Sequence, residues 1–331
     1  MTRRRHGRSS GRFGPLLLFV VLLAAVACYL VLSRIILGFA IQPRRHPLEE
    51  TPVTAGLDAE VVTFPSQGEG LTLRGFLLHG EGGAVVILLH GLDSNCWRGW
   101  HRDLARAYVA HGYSVFLFSL RGHGDSDGDA LGLAYDERHD VMGAVTWLLE
   151  HGWQAGMIGI HGTSYGAATA LIATAHIPEI SAVVSDSAFA DFRDVLDGEL
   201  KRRIGRVAIL FKPGLSLFIA RRFDVPLDRI APLAAVPAIA PRPILFIHGE
   251  ADRRIPADHT RRLVSASKSP DTEVWYVPGA THAQAFNTDR AGFLARVFAF
   301  FDRHLVSAAS PPDRKASGPV HGRLETGALN P

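Results

Sequence analysis

Between residues 57 and 306 the chain alternates short apolar segments with longer amphipathic ones, and this alternation restricts the possible folds more than any other feature. Several short segments are rich in Val, Ile and Leu throughout, which is typical of parallel strands buried between helices. In the longer segments apolar residues recur at helical spacing, as Val141, Ala144 and Val145 do. The pattern predicts a doubly wound, mostly parallel α/β sheet with helices on both faces. Ligands of such sheets bind at the carboxyl ends of the strands.

Eight strands and five helices are predicted within these bounds. The strands are expected at 61–65, 71–78, 84–90, 114–120, 157–161, 182–185, 243–248 and 273–277. The helices are expected at 97–111, 135–151, 165–176, 257–268 and 289–304. More than 50 residues separate the strand ending near Asp186 from the strand beginning at Pro243, far more than a crossover needs. We interpret residues 188–238 as an inserted helical cap over the site; the alternative is a bulky connection that packs on the core.

The first 45 residues differ from the rest of the chain. Residues 15–33 are 19 uncharged, mostly apolar residues, and the apolar character resumes after Arg34. As a helix rising about 1.5 Å per residue, this segment nearly crosses a hydrocarbon core about 30 Å thick. We predict a basic cytoplasmic segment at 1–14, a transmembrane anchor at 15–41 and a linker at 42–56.

Arginines flank the apolar segment unequally. Five precede it and three follow it, at positions 3, 4, 5, 8, 12, 34, 44 and 45. This excess favours a single-pass membrane protein with its main domain on the extracytoplasmic side. Two alternatives stay open: a cleaved signal peptide, with Ala25-Val26-Ala27-Cys28 resembling a lipoprotein processing box, and a buried core helix.

Charge and motifs exclude several function classes. The formal charge of +3 comes from the first 45 residues, which hold eight Arg and no acid; the remainder has 27 Lys and Arg against 32 acids, a net charge of −5. No nucleic-acid partner is therefore expected. No metal or other cofactor is predicted, because HExxH, paired carboxylate ligands and a P-loop are lacking. The tail at 307–331 is rich in Pro, Gly and charge, and we expect it to be disordered.

A serine on a tight turn between a strand and a helix is the sharpest chemical signal. The run Gly162-Thr163-Ser164-Tyr165-Gly166 follows an apolar strand and precedes small residues. Its two glycines let strand and helix close on each other. The helix directs its N-terminal N–H groups toward the serine, which suits a developing oxyanion. Ser164 is therefore predicted to be a nucleophile.

A second loop is expected to supply a hydrogen-bond donor. The strand at 84–90 opens into Gly91 and Leu92, and Gly91 lets the backbone turn so that the Leu92 N–H faces the serine. With the Tyr165 N–H, this amide would form a two-donor oxyanion hole. His90 is expected to brace the loop rather than transfer protons.

Chain position predicts the general base and its orienting acid. Among 16 histidines, His282 alone lies in a Gly-rich loop after the last strand, and Asp252 follows the penultimate strand. Ser164, Asp252 and His282 are in the Ser, acid, His order of hydrolases with this nucleophile turn. Two other acids compete with Asp252: Asp186, at the end of the preceding strand, and Glu250, in the same loop.

Taken together, these motifs resemble the α/β-hydrolase superfamily. The resemblance rests on His90-Gly91, the runs at 119–126 and 246–252, the Ser164 turn and His282, and it covers about residues 60–305. The single N-terminal span and the cap are similar to those of Bem46-like and serine aminopeptidase-like (S33-type) hydrolases. The resemblance implies a serine hydrolase working through an acyl-enzyme intermediate. Leu120 departs from the family, which often has Asp before the Arg-Gly-His-Gly turn.

The substrate class is left open by the sequence. The apolar cap and the adjacent membrane favour a carboxylic ester with a lipid-like acyl group. A thioesterase and a serine aminopeptidase are alternatives, the latter requiring an acidic patch for a free amine. A noncatalytic binding protein on a hydrolase scaffold is the alternative from another class. The cap acids that could form the acidic patch are Asp191, Asp194, Asp197 and Glu199.

Overall fold

The structure, a computed structural model, describes residues 13–68, 70–223, 228 and 230–305. Within these residues eight strands form one sheet, in the order β1-β2-β4-β3-β5-β6-β7-β8. The pairs β1–β2 and β2–β4 are antiparallel, and the other five pairs are parallel. The strands are β1 (Ala59–Pro65), β2 (Thr72–Leu78), β3 (Val85–Leu89), β4 (Ser114–Phe118), β5 (Ile158–Thr163), β6 (Ile180–Asp186), β7 (Ile244–Gly249) and β8 (Thr272–Val277). The predicted eight-stranded, mostly parallel sheet is confirmed.

Helices cover both faces of the sheet and form the cap. They are α1 (Phe13–Ile41), α2 (Trp100–His111), α3 (Glu137–Glu150), α4 (Tyr165–His176), α5 (Phe192–Ile204), α6 (Ala208–Phe223), α7 (Pro232–Ala235), α8 (Asp258–Ala266), α9 (Ala285–Thr288) and α10 (Arg290–His304). All five helices predicted for the α/β part are present. The cap predicted at 188–238 is helical, since it contains α5, α6 and α7.

The central strands are buried on both sides of the sheet, which explains why polar residues do not alternate with apolar ones in their sequences. Every residue of β3 is buried. Val85, Ile87 and Leu89 join the core formed with α3 and α4, whereas Val86 and Leu88 join the core formed with α2 and α10. Because side chains alternate across a strand, helices on both faces demand a continuous apolar run.

Helix α1 is long and exposed at its start and packed at its end. Residues 15–28 are all exposed, so this helix is not a core helix of the domain. Further along, Ser33, Leu37 and Ile41 are buried, and α1 contacts α6 of the cap. The helix is long and apolar enough to cross a membrane.

The segment at 42–56 lies against the domain. The Arg45 guanidinium donates hydrogen bonds to the carbonyls of Gly124, Ser126 and Gly128. In the opposite direction, the side-chain amide of Asn95 donates to the carbonyls of His46 and Pro47 in this segment. These contacts fix the end of α1 relative to the sheet. Residues 1–12 of the predicted basic segment and the predicted tail at 307–331 lie outside the described residues.

Candidate active site

Ser164 occupies a strained turn between β5 and α4. Its φ of 55° and ψ of −113° are uncommon for a residue with a side chain, and its N–H donates to the Asp186 carbonyl at 2.7 Å. A Cβ on Gly162 would lie 2.1 Å from the Gly166 carbonyl oxygen. A Cβ on Gly166 would lie 2.5 Å from the His90 carbonyl oxygen. The two glycines therefore permit backbone contacts that no other residue would allow.

The structure brings Ser164, His282 and Asp252 into one hydrogen-bonded chain. Ser164 Oγ lies 2.8 Å from His282 Nε2, and His282 Nδ1 lies 2.7 Å from Asp252 Oδ2. The carboxylate can only accept, so Nδ1 carries the ring proton and Nε2 presents its lone pair to the hydroxyl. This arrangement can take the serine proton and return it to a leaving group.

The Asp252 carboxylate is held ionised by its neighbours. Its Oδ1 accepts the N–H groups of Arg254 and Ile255, each at 2.9 Å. Burial by itself would raise the pKa of Asp252, but hydrogen bonds from His248 and His282 outweigh burial and hold that pKa well below its ordinary value. An ionised carboxylate fixes the ring orientation of His282 and favours the imidazolium that forms when the serine loses its proton.

Among the described residues, neither competing acid is hydrogen-bonded to the His282 ring. Asp186 is buried and its Oδ1 accepts the Ser187 hydroxyl at 2.8 Å. Burial raises the pKa of Asp186 to about 6, although Ser187 and nearby histidines oppose that rise. Glu250 is exposed. Of the three acids considered, Asp252 is therefore the one placed to orient the ring.

The oxyanion loop is braced by His90. Its Nδ1 donates to the Gly91 carbonyl at 2.7 Å, and its Nε2 accepts the Leu120 N–H at 3.0 Å. The Gly91 carbonyl and the Leu92 N–H belong to one peptide unit and point in opposite directions, so the first bond also orients the amide. Gly91 lies beside the nucleophile, since a Cβ built there would be 3.5 Å from Ser164 Cβ.

The two amides predicted as oxyanion donors are available. Tyr165 begins α4, where the first N–H groups have no partner within the helix. Within the part of the chain that the structure describes, neither the Leu92 N–H nor the Tyr165 N–H donates a hydrogen bond. Both can therefore bind a negatively charged oxygen formed next to Ser164.

A buried polar network behind Tyr165 was not foreseen from the sequence. The Tyr165 hydroxyl donates to Glu137 Oε1 at 2.8 Å and accepts the Ala134 N–H at 2.8 Å. Glu137 Oε1 also accepts the Gly132 N–H at 2.8 Å. Burial raises the pKa of Glu137 to about 7, against the attraction of Arg121. Glu137 begins α3, and a carboxylate in the first turn of a helix is too common to indicate a buried partner.

Arg121 is part of the same interior. Its guanidinium pairs with Asp140, with Nη2 2.7 Å from Oδ1, and both side chains are buried. The sequence predicts a braced turn at 121–126, but the run contains no signal for a buried ion pair. The pair connects the turn to α3.

No residues suited to a metal come together in the described ranges. No group of three or more His, Cys, Asp or Glu side chains there has a geometry that could hold a metal ion. Cys28 is exposed, Cys96 is buried and both are free thiols.

The sheet order, the cap and the nucleophile turn define a class of protein. The chain belongs to the α/β-hydrolase superfamily. Residues 48–202 match the X-Pro dipeptidyl-peptidases of the S15 family. The resemblance found in the motifs is confirmed at the level of the superfamily; the closer similarity to Bem46-like and S33-type members stays a prediction.

Curated relatives come from bacteria. The uncharacterised protein Rv2307c of Mycobacterium tuberculosis is 30% identical over 242 residues, which are 71% of this chain and 75% of that protein. The uncharacterised protein YqkD of Bacillus subtilis is 28% identical over 220 residues, which are 66% of this chain and 71% of that protein.

A solved structure shares the fold. The Pyrococcus furiosus esterase Pf2001 superposes with a TM-score of 0.67 and 23% sequence identity. The match covers 80% of this chain and 100% of the esterase.

Proposed function

We propose that the protein is a membrane-anchored serine hydrolase that cleaves a carboxylic ester with a lipid-like acyl group. The observation that carries the proposal is the chain of hydrogen bonds from Ser164 through His282 to Asp252, at 2.8 and 2.7 Å. A hydroxyl hydrogen-bonded to a neutral imidazole, which is itself oriented by a carboxylate, is the arrangement that activates serine for acyl transfer.

Acylation begins when Ser164 Oγ attacks the ester carbonyl carbon. His282 Nε2 takes the serine proton, and the carbonyl oxygen becomes an oxyanion that accepts hydrogen bonds from the Leu92 and Tyr165 amides. The imidazolium then gives its proton to the alkoxide leaving group, and the alcohol departs. Ser164 is left as an acyl ester.

Deacylation reverses the roles of the same groups. A water molecule takes the place of the alcohol, and His282 Nε2 accepts its proton as it attacks the acyl carbon. The same two amides bind the second oxyanion. Collapse of the tetrahedral intermediate returns the proton to Ser164 and releases the carboxylic acid.

Helix α1 is proposed to anchor the enzyme in the membrane. Its length and composition suit a span, and its first half is exposed and apolar. The arginine bias supports an extracytoplasmic position of the catalytic domain.

A peptidase is the second candidate, and the match to the S15 family favours it. An aminopeptidase would need an unpaired carboxylate to bind a free amine. Asp191 is paired with Arg193, and Asp194 is paired with Arg262 at 2.7 Å. The side chains of Asp197 and Glu199 lie outside the described part. Asp191 and Asp194, the two of these four acids whose side chains are described, are thus neutralised, which favours an ester over a peptide.

Hydrolysis of p-nitrophenyl acetate by the purified full-length chain tests the proposal. Ser164→Ala is expected to lower kcat/KM by at least about 1000-fold, because the nucleophile is lost. Ser265→Ala, at an exposed serine of α8, is the matched control and is expected to keep the wild-type rate. A folded Ser164→Ala protein that still turns over at the wild-type rate would refute the proposed nucleophile.

A further inference from the structure

A cavity of about 260 Å³ lies between the end of α1 and the cap. Helix α1 contributes Ile36, Phe39 and Ala40 to its wall. The spacing of these residues, i, i+3 and i+4, puts them on one face of the helix. On the opposite wall, Phe192 and Leu196 of α5 face the cavity. The lining is thus mainly apolar, and three of its eleven residues come from the helix that is proposed to span the membrane.

The cavity borders two of the loops that carry proposed catalytic groups. Leu92, whose amide is a proposed oxyanion donor, lies in its wall. So does Arg254, whose N–H donates to Asp252 at 2.9 Å. The loops of the proposed oxyanion donor and of the acid thus both border the space, which puts the cavity beside the site, while Ser164 and His282 are not among its lining residues.

Helix α1 is held on the cap by specific bonds. The Tyr29 hydroxyl donates to the Leu210 carbonyl and accepts the Gly214 N–H, each at 2.9 Å. Leu210 and Gly214 are four residues apart in α6, and Pro213, which has no N–H to donate, lies between them. Ser33 packs so closely that a Cβ on Gly214 would lie 2.2 Å from its Oγ.

The far end of the helix is fixed as well. The carbonyl of Ile41, the last residue of α1, accepts the Leu131 N–H at 2.7 Å, and Leu131 is itself part of the cavity wall. The position of Ile36, Phe39 and Ala40 is therefore set at both ends by contacts with the domain.

If α1 spans a bilayer, its contact with the cap lies at the level of the lipid. Residues 15–28 are free of the cap, and at 1.5 Å per residue they extend about 21 Å, less than the roughly 30 Å of a hydrocarbon core. A spanning α1 must therefore continue into lipid beyond Tyr29, where it contacts α6. The cap presents exposed apolar side chains beside this contact, among them Ile209 at 53% and Leu210 at 67% exposure. A patch of this kind on a soluble surface would be unfavourable, whereas lipid satisfies it.

We propose that this cavity binds the acyl chain of a single-chain ester that enters from the bilayer, with α1 forming one wall of the acyl site. The inference rests on the proposed function and adds the substrate class to it. A methylene group occupies about the volume of a water molecule, about 30 Å³, so the cavity accommodates a chain of roughly eight to ten carbon atoms.

The test is a series of p-nitrophenyl esters from acetate to palmitate, with the full-length chain in lipid nanodiscs. Wild type is expected to prefer octanoate and decanoate. Ala40→Phe fills the cavity, and each methylene that it displaces lowers kcat/KM about fourfold. The ratio of kcat/KM for decanoate to that for acetate is expected to fall at least tenfold. Ala25→Phe makes the same change at an exposed position of α1 and is expected to leave the ratio at its wild-type value.

A second variant and a binding measurement separate the possible failures. Phe39→Ala removes a wall residue without adding bulk and is also expected to lower the ratio; thermal unfolding checks that each variant is folded. If esters are hydrolysed and the folded variants keep the wild-type ratio, the acyl site is wrong. If no ester is hydrolysed, decanoic acid binding to the protein is measured by calorimetry. If wild type binds decanoic acid and Ala40→Phe does not, the acyl site is supported although the proposed function fails. If wild type does not bind decanoic acid, both the acyl site and the proposed function are overturned.

Discussion

Ser164 is reactive in this account because three groups far apart in sequence meet at its hydroxyl. The positive φ raises the side chain from the end of β5, His282 arrives from the loop after β8, and Asp252 arrives from the loop after β7. Each arrives from the carboxyl end of a parallel strand, which is where the strand order of a doubly wound sheet gathers functional residues. The backbone strain at Ser164 is kept because Gly162 and Gly166 let the surrounding backbone close around it.

Substitution of the orienting acid separates Asp252 from its strongest competitor. Asp252→Asn removes the charge and favours the wrong tautomer of His282, so kcat for p-nitrophenyl acetate is expected to fall about 10,000-fold. Asp186→Asn keeps the shape of a side chain that does not contact the ring, and it is expected to cost less than tenfold. Steady-state kinetics of the two folded proteins makes the comparison. An equal loss of kcat in the two variants, or a larger loss in Asp186→Asn, would contradict the assignment of Asp252 as the orienting acid.

At the scale of the elements, α3 and α4 are joined through buried polar groups rather than only by apolar packing. The Tyr165 hydroxyl at the start of α4 is bound to Glu137 at the start of α3, and Arg121 is paired with Asp140 one turn further along α3. Tyr165, whose amide is proposed to bind the oxyanion, is therefore held by its side chain as well. This network limits the movement of the amide relative to Ser164.

The stability of the α3–α4 connection is expected to depend on pH. Burial raises the pKa of Glu137 from 4.5 to about 7, so the folded protein keeps a proton that the unfolded chain loses. The stabilisation is complete below about pH 4.5 and is lost as the pH rises through about 7, which amounts to about 3 kcal/mol. Glu137→Gln keeps an acceptor for Tyr165 and Gly132 and removes the titration.

Urea unfolding at pH 5 and pH 8 measures this difference. Wild type is expected to lose about 3 kcal/mol more between the two pH values than Glu137→Gln loses. Glu250→Gln, at an exposed carboxylate, is the control and should follow wild type. Identical pH dependence in wild type and Glu137→Gln would show that Glu137 does not hold the proton.

Most elements could be predicted because hydrophobic periodicity reports burial, which is a local property of the chain. The predicted strand at 84–90 is observed as Val85–Leu89, and the helix predicted at 165–176 is observed with the same bounds. The site residues could be proposed because the order of strands and loops restricts which side chains can meet. The hydrogen bonds of Glu137 and of the Tyr29 hydroxyl could not be predicted. The partner of Glu137 lies 28 residues away, that of Tyr29 lies more than 180 residues away, and no local pattern marks either bond.

At the scale of the whole molecule, the N-terminal helix is continuous with the hydrolase domain. Tyr29 binds α6, Ile41 binds the loop at Leu131, and Arg45 binds the turn at 124–128. A simple tether would need none of these contacts. The consequence is that the cap, the cavity and the proposed span are joined into one unit, which is what the proposed acyl site requires.

We propose that the Ser164 hydroxyl is an activated nucleophile. Labelling with a fluorophosphonate, followed by peptide mapping, measures its reactivity directly. A single adduct is expected, on Ser164. Replacement of His282 by Ala is expected to slow its formation at least about 100-fold. A folded wild-type protein that takes up no label, or that carries the label on a different residue, would contradict it.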